Sequence, residues 1–157
     1  MKILAIDPGF ERIGIAILEK KLGKEELVYS ECFKTSVALS FSLRLRAIGE
    51  KIKKTIENFN PQELAIETLI FNTNQKTVMK VSEARGVILY EASLQNIKIF
   101  EYTPLQVKIA VTGYGRATKN QVTSLVKKLI VIPDKKRLDD EYDAIAIGLT
   151  HMATVRY

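Results

Sequence analysis

Residues 3–9 read Ile3-Leu4-Ala5-Ile6-Asp7-Pro8-Gly9, four apolar side chains in succession that stop at a carboxylate and a turn. The apolar run does not alternate, so both of its faces should be covered, as in a central strand of a mixed or parallel sheet. Pro8 biases Asp7 toward an extended backbone and Gly9 supplies the turn. A second apolar run, Ile13 to Leu18, follows at once and predicts a tight hairpin beside the acid. Taken alone, Asp-Pro-Gly favours an aspartate that merely starts a turn. The reading depends on whether other carboxylates reach the same sheet edge.

The 157 residues suffice for a single domain, 1–157, with a substantial core. Hydrophobic content of 46% with 27% charge is that of a globular protein. No run approaches the roughly 20 apolar residues of a membrane span, so no membrane partner is expected. The N-terminus shows no signal or transit pattern. Cys32 is the only cysteine, which excludes an internal disulfide and a thiolate metal cluster and suits a reducing cytoplasm. The lone His151 reads as a plain helix residue, not a ligand. Lys and Arg outnumber Asp and Glu by 24 to 18, a net charge of +6, which favours a polyanionic partner. Asp139, Asp140, Glu141 and Asp143 nevertheless crowd together near the C-terminus. A basic chain with a local acidic cluster suggests a divalent metal site that meets phosphate.

Further along, Glu26 to Lys34 reads as a third strand, reached through Lys20 to Lys24. Phe41, Leu45, Ile48, Ile52, Ile56 and Phe59 recur at steps of three or four and predict a helix over about 39–59, with Lys51, Lys53 and Lys54 on a solvated face. Leu64, Ala65 and Ile66 make a fourth strand ending in Glu67. A second long helix is predicted over about 74–94, a fifth strand over 97–102, and a short helix from Pro104 through about Ala110. Thr118 and Gln121 have capping-box spacing and open a helix through about Leu129. The last helix begins near Leu138. Three strands followed by alternating helix and strand make an α/β domain with a five-stranded mixed sheet flanked by helices.

If strands 1 and 4 lie side by side and parallel, Asp7 and Glu67 stand together at the C-terminal edge, where α/β proteins bind ligands. Asp140 and Asp143 share one helix face; the alternative is helix-dipole complementation in the first turn, which would suit Asp139, Asp140 and Glu141 equally well. Four converging carboxylates would repel one another unless a cation neutralised them. All-oxygen ligands point to Mg²⁺ or Mn²⁺, and two such ions about 4 Å apart can activate a water and stabilise the leaving oxygen of a phosphodiester. The loop Val111-Thr-Gly-Tyr-Gly-Arg-Ala-Thr-Lys119 fits the same chemistry, since Gly113 and Gly115 let backbone N–H groups near a phosphate. Lys119 stands where the helix dipole disfavours a cation, so a ligand is a reason for it. Lys108 is either a solvated helix lysine or a second phosphate contact.

Ile6-Asp-Pro-Gly9 with Gly14, Ala65-Ile-Glu67, Glu83-Ala-Arg-Gly86, Val111-Thr-Gly-x-Gly-x-Ala-x-Lys-x-Gln-Val122 and Asp140-x-x-Asp-Ala-x-Ala-Ile147 resemble the RuvC family, the crossover junction endodeoxyribonucleases or Holliday junction resolvases. The resemblance runs in order over nearly the whole chain. It implies a ribonuclease H-like fold, a homodimer, Mg²⁺-dependent paired nicking of four-way junction DNA in recombination and repair, and cooperation with a branch-migration helicase complex of RuvA and RuvB type. Asp7, Glu67, Asp140 and Asp143 fall on the family's catalytic, metal-holding acids, and Lys108 and Lys119 on its basic catalytic residues. Arg85, Gly113, Gly115, Arg116 and Lys119 are the expected DNA contacts. Family members often place an aromatic wedge three residues past the strand-4 acid. This chain has Ile70 there and Phe71 next, so the wedge falls to one of the two.

A resolvase-like nuclease acting on RNA shares the fold and some of the acids, and a non-catalytic DNA-binding module would use the acids only as helix caps. Two nicks in strands of like polarity require two acid clusters related by a two-fold axis. The helix over 74–94 is the candidate interface. Val81, Ala84, Ile88 and Ala92 form its inward stripe, while Met79, Ser82, Gly86, Tyr90 and Ser93 form another. A helix-interior glycine costs about 1 kcal/mol relative to alanine. Close approach of a second helix would explain Gly86, as would tight packing on its own sheet.

Overall fold

The structure, a computed structural model, describes residues 1–21, 23–69, 75–133 and 135–155. Strands β1 (Lys2–Asp7), β2 (Arg12–Lys21) and β3 (Lys24–Lys34) form an antiparallel meander. Helix α1 (Phe41–Phe59) leads to β4 (Glu63–Glu67), and α2 (Gln75–Leu94) to β5 (Lys98–Tyr102). Helices α3 (Pro104–Thr112), α4 (Lys119–Leu129) and α5 (Asp139–Thr154) complete the chain. The sheet order is β3-β2-β1-β4-β5, with β1, β4 and β5 parallel.

The β2–β3 hairpin is longer than the sequence suggests. Lys20 and Lys21, expected in the connection, instead pair with Glu25 and Lys24, because consecutive polar residues on both strands suit a ribbon with solvent on both sides. A register shift between Ile17 and Leu18 lies further down the same pair.

The sheet's two faces carry residues of different size, and this asymmetry places the helices. Leu4, Ile6, Ile15, Leu64 and Ile66 point to the side covered by α1 and α2, where Ile48, Ile52, Ala84, Ile88 and Ala92 pack on them. Each leucine or isoleucine among them, once fully buried, contributes about 1.5–3 kcal/mol. The opposite face presents Ala5, Ala16 and Ala65 to α5, so that helix lies close to the sheet. A Cβ at Gly148 of α5 would stand 2.4 Å from Leu18 Cδ1 and 3.1 Å from Ala5 Cβ. No helix among the described residues is long and apolar enough to cross a membrane.

Polar contacts fix α5 at both ends. Near its start, the buried Glu141 carboxylate accepts from Ser30 Oγ at 2.7 Å and the Leu138 N–H at 3.2 Å, with Lys135 Nζ 3.2 Å away. Near its end, His151 is fully buried, with Nδ1 2.7 Å from the Tyr102 hydroxyl and Nε2 2.7 Å from Glu63 Oε2. His151 is thus a core residue tying α5 to β4 and β5. Lys51 departs from the solvated face expected of it and pairs with Glu31 and Tyr29 on β3, while Lys53 and Lys54 stay exposed.

Candidate active site

Asp7 and Glu67 are the last residues of β1 and β4, and the parallel register Ile6↔Ile66 brings them side by side. Asp140 stands in the first turn of α5 and Asp143 one turn further on, on the same face of the helix. Gly14 makes their approach possible. It pairs with Asp7 across the β1–β2 ladder, and a Cβ there would stand 1.9 Å from the Asp140 carbonyl oxygen. Any larger residue would push the start of α5 away from Asp7.

Asp7, Glu67 and Asp143 line one cleft of about 210 Å³, with Lys108 and Lys119 on its wall and Val107, Val122 and Ala146 behind them. Lys108 comes from α3 and Lys119 is the first residue of α4. Asp140 opens on an adjoining groove that shares Asp7 and holds Phe10, Arg12 and Val81. Two capping boxes aim the short helices: Thr103 with Gln106 opens α3, and Thr118 with Gln121 opens α4. The second is the one expected from spacing. The first has the same Thr-x-x-Gln signal around Pro104.

Electrostatics bind these residues into one unit. Burial, then the charges of Asp143, Glu67 and Asp140, push the Asp7 carboxyl up to about 8, against an opposing pull from Lys119. Burial and Asp143 push Glu67 up to about 7, opposed by Lys108 and Lys119. Burial also raises Asp143, although Lys119 Nζ lies 2.7 Å from its Oδ2 and acts the other way. Asp143 therefore supplies a counter-charge for Lys119 at its unfavourable helix start. Asp140 Oδ2 is 3.6 Å from Arg12 Nε and accepts a long contact from Cys32 Sγ at 3.7 Å. Burial and Asp140 push the Cys32 thiol up to about 11, so it is no thiolate ligand at neutral pH.

Among the described residues, no three acids are drawn together tightly enough to enclose an ion as they stand, since Asp143 leans on Lys119 and Asp140 on Arg12. The donor chemistry still fits a hard divalent cation. The carboxylates are uniformly oxygen donors, and burial first, then repulsion from neighbouring acids, raises Asp7 and Glu67 against the opposing pull of the lysines.

The remaining expected contacts lie elsewhere. Gly113 caps α3 at φ +73°, its N–H donating to the Ile109 carbonyl at 2.8 Å. A Cβ at Gly115 would stand 2.7 Å from Leu105 Cδ1. Neither glycine nor the exposed Arg116 lines the carboxylate cleft. Arg85 points inward, with Nε 3.2 Å from the Glu67 carbonyl oxygen. Ile70 and Phe71 lie outside the described residues. Arg12 and Cys32 beside Asp140 escaped the sequence reading, because nothing in their spacing signals that α5 packs on β2 and β3.

This sheet order and helix arrangement define the ribonuclease H-like class. Within that class the chain belongs to the RuvC family: residues 3–151 match the family described as "Crossover junction endodeoxyribonuclease RuvC". It is 43% identical over 151 residues to the crossover junction endodeoxyribonuclease RuvC of Halothermothrix orenii, covering 96% of this chain and 92% of that one. The corresponding Petrotoga mobilis protein is 44% identical over 151 residues, covering 96% and 93%. A solved structure described as T. thermophilus RuvC in complex with Holliday junction substrate matches with a TM-score of 0.89 at 30% identity, covering 97% of this chain and 93% of that one.

Proposed function

We propose that this chain is an endonuclease that resolves four-way DNA junctions by paired, symmetric nicks in recombination and repair. The carrying observation is the convergence of Asp7, Glu67 and Asp143 with Lys108 and Lys119 in one cleft, in a member of the RuvC family. Asp7, Glu67, Asp140 and Asp143 would hold Mg²⁺, two ions per site, with Mn²⁺ able to substitute. Bound there, the ions supply an activated water and charge stabilisation at the leaving oxygen.

The chain's own side chains do the rest. Lys108 and Lys119 give the scissile phosphate two cationic contacts, and displacement of Lys119 from Asp143 toward that phosphate frees the carboxylate for a ligand role. Apolar Val107 and Val122 exclude water behind the carboxylates and strengthen every charge contact in the cleft. The net charge of +6 supplies sequence-independent attraction to the DNA backbone. Arg116 and the loop glycines Gly113 and Gly115 would meet backbone phosphates outside the cleft. A wedge at Ile70 or Phe71 rests on the sequence resemblance alone.

Paired nicking needs two such sites, so a second copy of the chain completes the enzyme. On α2, Ala84, Ile88 and Ala92 are buried, whereas Met79 is 64% and Tyr90 60% exposed. A Cβ at Gly86 would meet nothing within 4 Å, so packing on its own sheet does not explain this helix glycine. Close approach of a partner's α2 does. Such a dimer would act in the cytoplasm with a branch-migration helicase of RuvA and RuvB type.

Asp7→Asn tests the catalytic reading. It should abolish junction cleavage in Mg²⁺ while junction affinity is retained, because it removes a metal-holding charge and leaves the basic surface intact. Wild-type cutting by this variant would refute the assignment.

A further inference from the structure

Glu67 has an exposed structural problem. β1 pairs with β4 only as far as Ile66, so Glu67, the last residue of its strand, projects beyond that ladder. On the other side, β5 still holds it: Glu67 is in register with Tyr102, and the next N–H, that of Thr68, donates to the Tyr102 carbonyl at 2.9 Å. The Glu67 carbonyl is met from a third element. Arg85 of α2 donates its Nε–H to that oxygen at 3.2 Å, and its Nη2 stands 2.7 Å from Glu101 Oε2 on β5. The second contact is close but lies off hydrogen-bond alignment, so Coulomb attraction joins the pair. The Arg85 side chain is only 16% exposed, against 49% for Glu101. A guanidinium this enclosed is poorly placed to meet a phosphate, and its planar fork suits bridging two acceptors at once.

We propose that Arg85 is a positioning residue, not a DNA contact: by clamping the Glu67 carbonyl to Glu101 it sets the direction in which the Glu67 carboxylate leaves β4 toward Asp7 and Asp143. The inference rests on the nuclease reading of that cleft. It gives the Glu83-Ala-Arg-Gly86 motif two roles on different faces of α2, about 100° apart around the helix. Gly86 faces open space outward, while Arg85 reaches inward to the end of the catalytic strand. Outer-shell partners of metal-holding carboxylates typically carry about 10–100-fold in metal affinity or activity.

The test compares full-length wild type with Arg85→Met, Arg85→Lys and Glu101→Gln. Mn²⁺ is titrated calorimetrically without DNA, junction affinity is measured across salt concentrations without divalent ions, and kcat and KM are measured in Mg²⁺. Arg85→Met should keep junction affinity, its salt slope and KM, lose about 10–100-fold in kcat and bind Mn²⁺ correspondingly more weakly. Arg85→Lys, which retains a donor for the Glu67 carbonyl, should recover part of both losses. Glu101→Gln should show a smaller loss in the same direction. If Arg85→Met fails to fold, the other two variants carry the test. A salt slope shallower by about one unit with normal kcat at saturating junction would make Arg85 a phosphate contact and overturn the proposal. Unchanged kcat and Mn²⁺ affinity in all variants would also overturn it. Failure of wild type itself to bind Mn²⁺ or cut junctions would instead refute the nuclease reading.

Discussion

The carbonyl oxygen of Asp140 rests directly over Gly14, at a separation where a Cβ on residue 14 would come within 1.9 Å. Both groups are backbone, so a side chain could not be accommodated by a rotamer change. Gly14 also pairs with Asp7, which means that one small residue sets the distance between the carboxylates of β1 and α5. Gly14→Ala should therefore shift the start of α5, cost about 1–3 kcal/mol, and lower cleavage more than junction binding. Denaturant melts with parallel cleavage and binding assays check this. Wild-type stability in the variant would mean that α5 does not seat where described.

The raised acids predict how stability depends on pH. The Asp7 carboxyl rises from 3.8 to about 8 on folding, so between those values the unfolded chain has released a proton that the folded chain still holds. Stability of the metal-free protein therefore falls as pH rises through that window, with Glu67, pushed up to about 7, adding to the loss. Asp7→Asn should raise Tm at pH 8, without divalent ions, by about 3 °C or more and flatten the pH profile. Saturating Mn²⁺ should raise wild type more than the variant. Parallel pH profiles for the two proteins would contradict the electrostatic coupling.

Lys119 separates the phosphate role from the structural one. Removing it should weaken junction binding and make the salt dependence shallower by about one unit, as expected for one lost phosphate contact. Its partner Asp143 would lose a compensating cation and become harder to ionise. Fluorescence anisotropy of Lys119→Ala on a labelled junction, over a salt series, measures the slope. An unchanged slope would assign Lys119 to Asp143 alone.

His151 tests the far end of the same helix. Replacing it by Phe removes a buried hydrogen-bond partner from Tyr102 and Glu63 and should cost about 2–4 kcal/mol. Because the acids lie at the other end of α5, junction cleavage below the lowered Tm should persist. Loss of cleavage in a folded variant would show that the helix end, and not only its start, controls the cleft.

Much of this arrangement is legible in the chain. Asp7 and Glu67 stand out because each ends an unbroken apolar run, and unbroken runs belong to central parallel strands, which α/β folds place side by side. Asp140 and Asp143 are legible as a pair from helical spacing. The packing of the Asp140 backbone against Gly14 is not, since it depends on how closely α5 lies on a sheet face lined by Ala5, Ala16 and Ala65. Arg85 shows the same limit. The family resemblance offers it only as a DNA contact, whereas its carbonyl partner, Glu67, lies on β4, 18 residues earlier. The pairing of Lys51 is hidden for a similar reason, because its partner Glu31 lies 20 residues earlier, on β3. Long-range polar pairing leaves no periodic signature.

The most direct measurement incubates the full chain with a four-way DNA junction, matched duplex and single-stranded DNA, with Mg²⁺ and with the metal chelated, and resolves the products on denaturing gels. Paired nicks at symmetric positions in the junction, dependent on Mg²⁺ and absent from duplex, are the expected result. Cutting of ordinary duplex as readily as the junction, or cutting that survives chelation, would contradict a metal-dependent resolvase.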